Sequence, residues 1–311
     1  MLSSRTGFGQ RLKFLMPGEF DFIDWIRQTQ RGSPLVQIGI GDDLAGLKWP
    51  ADELLLVGVD QVVDGVHFDS SVHSPRQIGR KAMNRNLSDC AAMACLPAAA
   101  VVAAALPPDF SLDRAKELYD GLRQAGEAFD CPLIGGDTAS WNGKLVLSVT
   151  VLGRSAGGKI ITRAGARPGD GIFVTGPLGG SVLGRHMTFE PRIQLGRELA
   201  AVATAMIDLS DGVSRDLAHI CRASGVGAVL DAAAVPIHSD AVELSRRDGR
   251  PALDHALNDG EDYELLFTSP GHVGRALRIG QITAEPGIVI RSQDGIPHPL
   301  PPLGWEHPIG R

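Results

Sequence analysis

Short clusters of acidic and small residues recur along this chain, most of them directly after an apolar run. They are Gly41-Asp42-Asp43, Asp60 with His67, Asn86-Leu87-Ser88-Asp89, Gly135-Gly136-Asp137, Asp208-Leu209-Ser210-Asp211-Gly212 and Asp259-Gly260-Glu261-Asp262. Carboxylates delivered to the ends of buried strands cannot stay unpaired, because a desolvated charge is unfavourable without a counter-charge or a metal. Oxygen-only donors suit magnesium, which keeps waters and substrate phosphates around it rather than filling an all-protein cage. The pattern predicts an enzyme of nucleotide phosphates whose apolar strands end in acids.

Composition narrows the class further. A chain of 311 residues that is 43% hydrophobic can bury a core and suggests two domains. Its formal net charge of -6 provides no broad basic field for nucleic acid. The longest apolar stretch, residues 97–107, is well short of a membrane span, so no membrane partner is expected. Cys90, Cys95, Cys131 and Cys221 lack zinc or redox spacing and read as reduced, buried thiols of a cytoplasmic protein. Residues 1–15 contain no signal-peptide core, and an ordered domain is expected to begin around residue 17 after an N-terminal tail, 1–16.

Periodicity predicts helices over 19–27, 76–93 and 112–129, with strands over 54–59, 98–106, 132–134 and 145–152. A glycine-rich, arginine-rich stretch then divides the chain near residue 156, giving domains of 17–155 and 156–311. Beyond it, strands are expected over 171–176, 205–209, 228–231 and 263–267, with helices over 191–202, 213–223 and 239–247. Residues 297–302 read as an irregular proline-rich approach to Trp305. Both halves carry acids, which points to a site in the cleft between them. Gly153 to Lys159 mimics a P-loop, but Ile160 stands where the magnesium-contacting hydroxyl belongs and Pro168 interrupts the required helix, so an ordinary turn is expected.

Seven motifs in order resemble the thiamine-monophosphate kinase family, within the aminoimidazole ribonucleotide synthetase-like superfamily. They are Gly39-Ile40-Gly41-Asp42-Asp43, Val63-Asp64-Gly65-Val66-His67-Phe68, Asn86-Leu87-Ser88-Asp89, Ile134-Gly135-Gly136-Asp137-Thr138, the run from Thr162-Arg163 to Gly169-Asp170, Ile207-Asp208-Leu209-Ser210-Asp211-Gly212 and Gly260-Glu261-Asp262-Tyr263-Glu264-Leu265. The resemblance implies an α/β fold of α+β type with two synthetase-like domains, the first contributing strands to a barrel shared in a homodimer. It further implies ATP- and magnesium-dependent transfer of phosphate onto thiamine monophosphate. Carried over position by position, Asp43, Asp60, Asp89, Asp137, Asp208 and Asp211 become ligands for several magnesium ions, with Asp42 adjacent. Gly136, Asp137, Arg163 and Ser210 fall on ATP-contacting positions, and His67, Glu261 and Trp305 on positions near thiamine. Asp211 and Arg163 are then the groups closest to catalysis.

The chemistry agrees with that assignment. Transfer between two phosphates depends on positioning and charge neutralisation, and the acceptor phosphate is already largely ionised, so no strong general base is needed. Plainer roles compete at each position. Asp42, Asp64 and Asp231 fit Asx-turns or caps better than ligands. Asp208 to Gly212 could be a strand exit with a helix cap, His67 a packed imidazole, Arg163 a solvated turn residue and Trp305 a C-terminal anchor. Gly58 and Val59 stand where the family commonly has hydroxyls, and residues 179–192 are shorter than usual with an altered His186-to-Arg192 run. Those departures keep open an ATP-using enzyme with another phosphorylated or carboxylated acceptor, or a nucleotide-binding homologue without turnover.

Overall fold

The structure, a computed structural model, describes residues 19–29, 32–40, 45–274, 276–292 and 294–307. Its first half runs α1 (Glu19–Thr29), β1 (Val36–Ile38), β2 (Gly46–Leu47), β3 (Leu55–Val63), α2 (Pro75–Ala92), β4 (Leu96–Leu106), α3 (Leu112–Glu127), β5 (Leu133–Ser140) and β6 (Val146–Arg154). The second half continues with β7 (Gly171–Val174), α4 (Ile193–Leu199), β8 (Ala205–Asp208), α5 (Val213–Ser224), β9 (Gly227–Asp231), α6 (Ser239–Asp248), α7 (Ala252–Asn258), β10 (Leu265–Ser269), β11 (Leu277–Thr283), β12 (Gly287–Arg291) and β13 (Pro297–Pro299).

Strands β3, β6, β4 and β5 form one sheet in that order, with only β4 and β5 parallel. Alternation along β6 buries Leu147, Val149 and Val151 on one face, as a half-covered strand requires. Helix α2 begins at a capping box: the Gln77 N–H donates to the Ser74 hydroxyl, the Ser74 N–H donates to the Gln77 side chain, and Pro75 follows the cap. Such a cap stabilises a helix by about 1 kcal/mol. The helices α2 and α3 cross at Gly79 and Gly121, where an added Cβ would lie 2.2 Å from the Leu118 carbonyl and 2.1 Å from that of Arg76. No other residue fits that crossing.

The second sheet is ordered β13-β12-β9-β11-β7-β10-β8. One apolar core joins Ile78, Met83 and Leu87 of α2 to Leu147 and Val149 of the first sheet and to Phe173, Met206 and Phe267 of the second. Helix α2 is therefore a beam between the two sheets, and side chains along it reach both. A separate core of Ile172, Val174, Ile207 and Leu266 with Leu217 and Ile220 of α5 covers the second sheet's other face.

Several expected boundaries move. Asp60 and Asp137 lie inside β3 and β5 rather than at strand ends, because the ladder continues through Asp60 opposite Val149 and through Gly136 and Asp137 opposite Val102 and Ala103. The helix expected over 191–202 is only α4, α7 was not foreseen, and the proline-rich approach to Trp305 contains the short β13. Among the described residues no helix is long and apolar enough to cross a membrane.

Candidate active site

Three carboxylates converge from three elements: Asp60 from β3, Asp89 from the last turn of α2 and Asp208 from the end of β8. The Ser88 hydroxyl donates to Asp208 Oδ2 at 2.7 Å, so α2 and β8 are joined where the acids meet. Burial raises the Asp208 pKa, and the charge of Asp60 adds to the effect. Asp89 is pushed up to about 8, first by burial and then by Asp208 and Asp60, against the pull of Arg85 and Arg163. Arg85 donates to Asp60 Oδ2 at 3.2 Å, and the Asp60 N–H donates to Asn86 Oδ1 at 3.1 Å. One guanidinium in contact with one of three crowded carboxylates leaves a deficit of positive charge, and the hard oxygen donors suit a divalent cation such as magnesium. Arg163 projects at the edge of this cluster, and no acceptor among the described residues pairs with its guanidinium.

Asp211 lies just beyond, in a second group. Its carboxylate, that of Asp216 and the imidazole of His219, the latter two on α5, place one ligand atom each within 4.8 Å of one another. Burial raises the Asp211 pKa, opposed by Arg215 and His219. Asp211 is no helix cap: Gly212 occupies that place without a side-chain bond, while Asp216 Oδ2 accepts the N–H groups of Asp211 and Gly212 at 3.1 Å each. Ser210 is half-buried beside it, and its hydroxyl has no partner among the described residues. By contrast Asp231 accepts the Ala233 N–H, the capping role expected of it, while Asp64 accepts from the N–H and hydroxyl of Ser70, six residues on, and so bridges a loop rather than caps a helix.

Asp137 does not join either group within one chain. It lies exposed on β5, at the opposite edge of the sheet from Asp60, and the register puts it on the face of Ala103, Ser148 and Gln61. Asp60 faces the other way. Three inter-strand steps separate the two strands, about 14 Å. Gly136 and Asp137 instead border a largely apolar cavity of about 790 Å³ with Phe22, Ile26 and Tyr119. Asp42 and Asp43 lie outside the described residues.

The acceptor-side candidates form a network. Glu261 sits in a tight loop with Gly260, Glu261 and Tyr263 at φ of 74°, 54° and 53°. A Cβ at Gly260 would lie 2.6 Å from the Ser210 carbonyl. The loop is held by Glu261 N–H to Ser210 O at 2.8 Å and Tyr263 N–H to Leu209 O at 2.9 Å, tying it to the Asp208–Asp211 turn. Lys81, fully buried at 0% exposure, donates to the Glu261 carboxylate at 2.9 Å, to the His67 carbonyl at 2.6 Å and contacts His186 Nδ1 at 2.7 Å. Burial works against the Glu261 charge, yet His186 and Lys81 bring its pKa down to about 2. His67 is pushed down to about 4 by burial and by Arg85. Its Nδ1 accepts the Val63 N–H, so the neutral ring presents an Nε2 donor. His307 bridges His67 and Trp305, with ring centroids 5.5 and 5.7 Å away, and the Trp305 N–H donates to the Asp211 carbonyl.

The altered segment from Arg185 to Arg192 packs directly on this loop. Arg185 pairs with Asp262 at 3.1 Å, His186 with Glu261 at 3.1 Å, Arg192 Nε with Glu264 at 3.1 Å, and Phe189 stacks on Tyr263 with centroids 3.8 Å apart. Asp262 and Glu264 thus each have an arginine from that segment, and His186 lies against Glu261. Lys81, Arg85, Asp216 and His219 are not among the residues that the motifs single out. The spacing of Lys81, Arg85 and Asp89 by four places all three on one stripe of α2, a pattern that a charge-periodicity reading would have found. The false P-loop is as expected: Lys159 donates to the Ala203 carbonyl.

Residues 41–155 match the family model "AIR synthase related protein, N-terminal domain". The chain is 42% identical over 258 residues to a thiamine-monophosphate kinase of Rhodopirellula baltica, an alignment that covers 80% of this chain and 81% of the relative. Among solved structures, the thiamine-monophosphate kinase of Stenotrophomonas maltophilia K279a superposes with a TM-score of 0.78 at 35% identity, covering 89% of this chain and 96% of its own. AaThiL complexed with AMPPCP and TMP superposes with a TM-score of 0.75 at 30% identity, covering 97% of this chain and 100% of its own.

Proposed function

The chain belongs to the thiamine-monophosphate kinase family, and from that membership together with its acid cluster we propose that it transfers the terminal phosphoryl group of ATP to the phosphate of thiamine monophosphate, giving thiamine diphosphate. The observation that carries the proposal is the approach of Asp60 and Asp208, from both halves of the chain, to Asp89, close enough to push its pKa up, with Arg85 the cation hydrogen-bonded to the group among the described residues. When bound, magnesium would supply the missing positive charge and shield the oxygens of donor and acceptor from each other. Asp60, Asp89 and Asp208 are the residues that would hold it, and Asp211 lies near enough to Asp216 and His219 for a further ion.

The remaining steps belong to the chain's own side chains. Arg163, whose guanidinium pairs with no acceptor among the described residues, is available to a phosphate of ATP beside Ser210. On the acceptor side, the ionised Glu261, the Nε2 donor of His67 and the half-exposed indole of Trp305 face a ligand that is cationic and aromatic, as a thiazolium-bearing acceptor is. No side chain needs to remove a proton, since the acceptor phosphate is ionised near neutral pH.

A homodimer and a cytoplasmic location complete the proposal. Leu55, Val57 and Val59 of β3 are 51–64% exposed on the face that also carries Asp137. A second copy covering that face would bury them, and because β3 is an edge strand the partner's Asp137 would have a path to the site around that edge. The four free, buried cysteines suit a reducing compartment. Incubation with ATP and thiamine monophosphate, with and without magnesium, followed by chromatography of thiamine diphosphate, tests the reading. Absence of product with magnesium present overturns it.

A further inference from the structure

We propose that Lys81 is a positioning residue for the acceptor: it holds the Glu261 carboxylate and the His67 main chain in the geometry that the acceptor meets. This rests on the functional reading above. All three donors of its ammonium have partners, one in each of three separate parts of the chain: the His67 carbonyl after β3, His186 of the 185–192 segment and Glu261 of the loop before β10. The side chain is wholly buried, whereas the Glu261 side chain is 26% open. The ligand therefore meets the carboxylate and never the amine. Burial lowers the Lys81 pKa to about 8, with Glu261 working to keep the charge.

The arrangement also divides the carboxylates between the two halves of the reaction. Arg85 Nη1 lies 3.7 Å from Glu261 Oε1, close enough to capture it, while its Nε donates to Asp60. With Lys81 in place Glu261 stays on the acceptor side and Arg85 stays with the acid cluster. Without Lys81, Glu261 turns toward Arg85 and the acceptor loses its anionic contact. The expected signature is a loss confined to one substrate.

The test is steady-state kinetics of Lys81→Met, Glu261→Gln and the double variant, with thermal melting as the control for folding. Lys81→Met is expected to raise KM for thiamine monophosphate about 10- to 100-fold and to leave KM for ATP within about threefold. Because both changes act through one carboxylate, the double variant is expected to be no worse than the poorer single one. Equal rises in both KM values, or additive losses in the double variant, overturn the proposal. If Lys81→Met does not fold, Lys81→Gln carries the same comparison. Should neither fold, an unchanged acceptor KM in Glu261→Gln overturns it, and a selective rise in that KM supports it. A wild-type chain that forms no thiamine diphosphate sinks the functional reading itself, whereas an active wild type with unaffected Lys81 variants sinks only this inference.

Discussion

Replacing Asp89 with asparagine is expected to stabilise the metal-free protein while abolishing turnover. Asparagine keeps the shape of the side chain and removes one of three crowded charges. A carboxyl whose pKa is raised on folding binds protons in the folded state, so its penalty on stability is absent below about pH 4, grows as pH rises and levels off above about 8. The part of the penalty expressed by pH 7 would amount to about 4 kcal/mol at 1.36 kcal/mol per unit. Asp60 and Asp208 share the repulsion, and the site is partly open, which reduces the expected gain to about 1–3 kcal/mol. For a chain of 311 residues that corresponds to about 2–5 °C in Tm. Melting curves in chelator at pH 5 and pH 7.5 provide the measurement, with the difference between variant and wild type clearly larger at the higher pH. Added magnesium is expected to raise the wild-type Tm at pH 7.5 and to do little for the variant. A variant less stable than wild type in chelator at pH 7.5, or one that retains turnover, refutes the reasoning.

Two further substitutions probe the nucleotide side. Arg163→Ala is expected to lower kcat/KM for ATP by about 10- to 100-fold, the loss of one charge-assisted contact to phosphate, and an unchanged value removes Arg163 from the site. Gly58→Ser is expected to lower the magnesium concentration needed for half-maximal rate, because a Cβ there meets only Val151 at 3.6 Å and Asp89 Oδ2 at 3.9 Å and its hydroxyl joins the acid cluster. A magnesium titration that is unmoved, or shifted upward, counts against a cation at Asp89.

Much of the site was legible because its acids occur in motifs with glycine and serine, whose small side chains leave room for a ligand. Asp89 and Asp208 stand out for that reason. The apolar run before Asp60 also located β3, though not its end, since the run does not say whether Asp60 is the last residue or an inner one. Asp60 continues the ladder because its face lies under α2, where Arg85 and Asn86 satisfy it. Lys81 was hidden for the opposite reason. A lysine in an amphipathic helix normally marks the solvent side, and only the three-dimensional meeting of His67, His186 and Glu261 makes its burial tolerable. The departures between residues 179 and 192 looked like a weakness of the acceptor side, yet Arg185, His186 and Arg192 each hold an acid of the Glu261 loop. Pairing across seventy or more residues leaves no trace in local spacing.

Asp137 raises the sharpest geometric question. The β-ladder fixes it on the face opposite Asp60 and three strands away, and no side-chain rotation crosses a sheet. If both acids serve one reaction, the second must come from another copy, and the apolar row Leu55, Val57 and Val59 on Asp137's own face gives that copy a surface to cover. Mixing subunits decides the matter. Asp89→Asn and Asp137→Asn are each expected to be inactive alone. Combined by co-expression and random pairing, half of the dimers carry one variant of each kind, and each of these has one site with both native acids. Turnover of about a quarter of wild type is therefore expected from a shared site in a twofold dimer. Light scattering on the mixture checks that dimers are present. No recovery in a confirmed dimer, or full activity of Asp137→Asn by itself, would mean that Asp137 works elsewhere and that the acids of this chain form a site complete within one subunit.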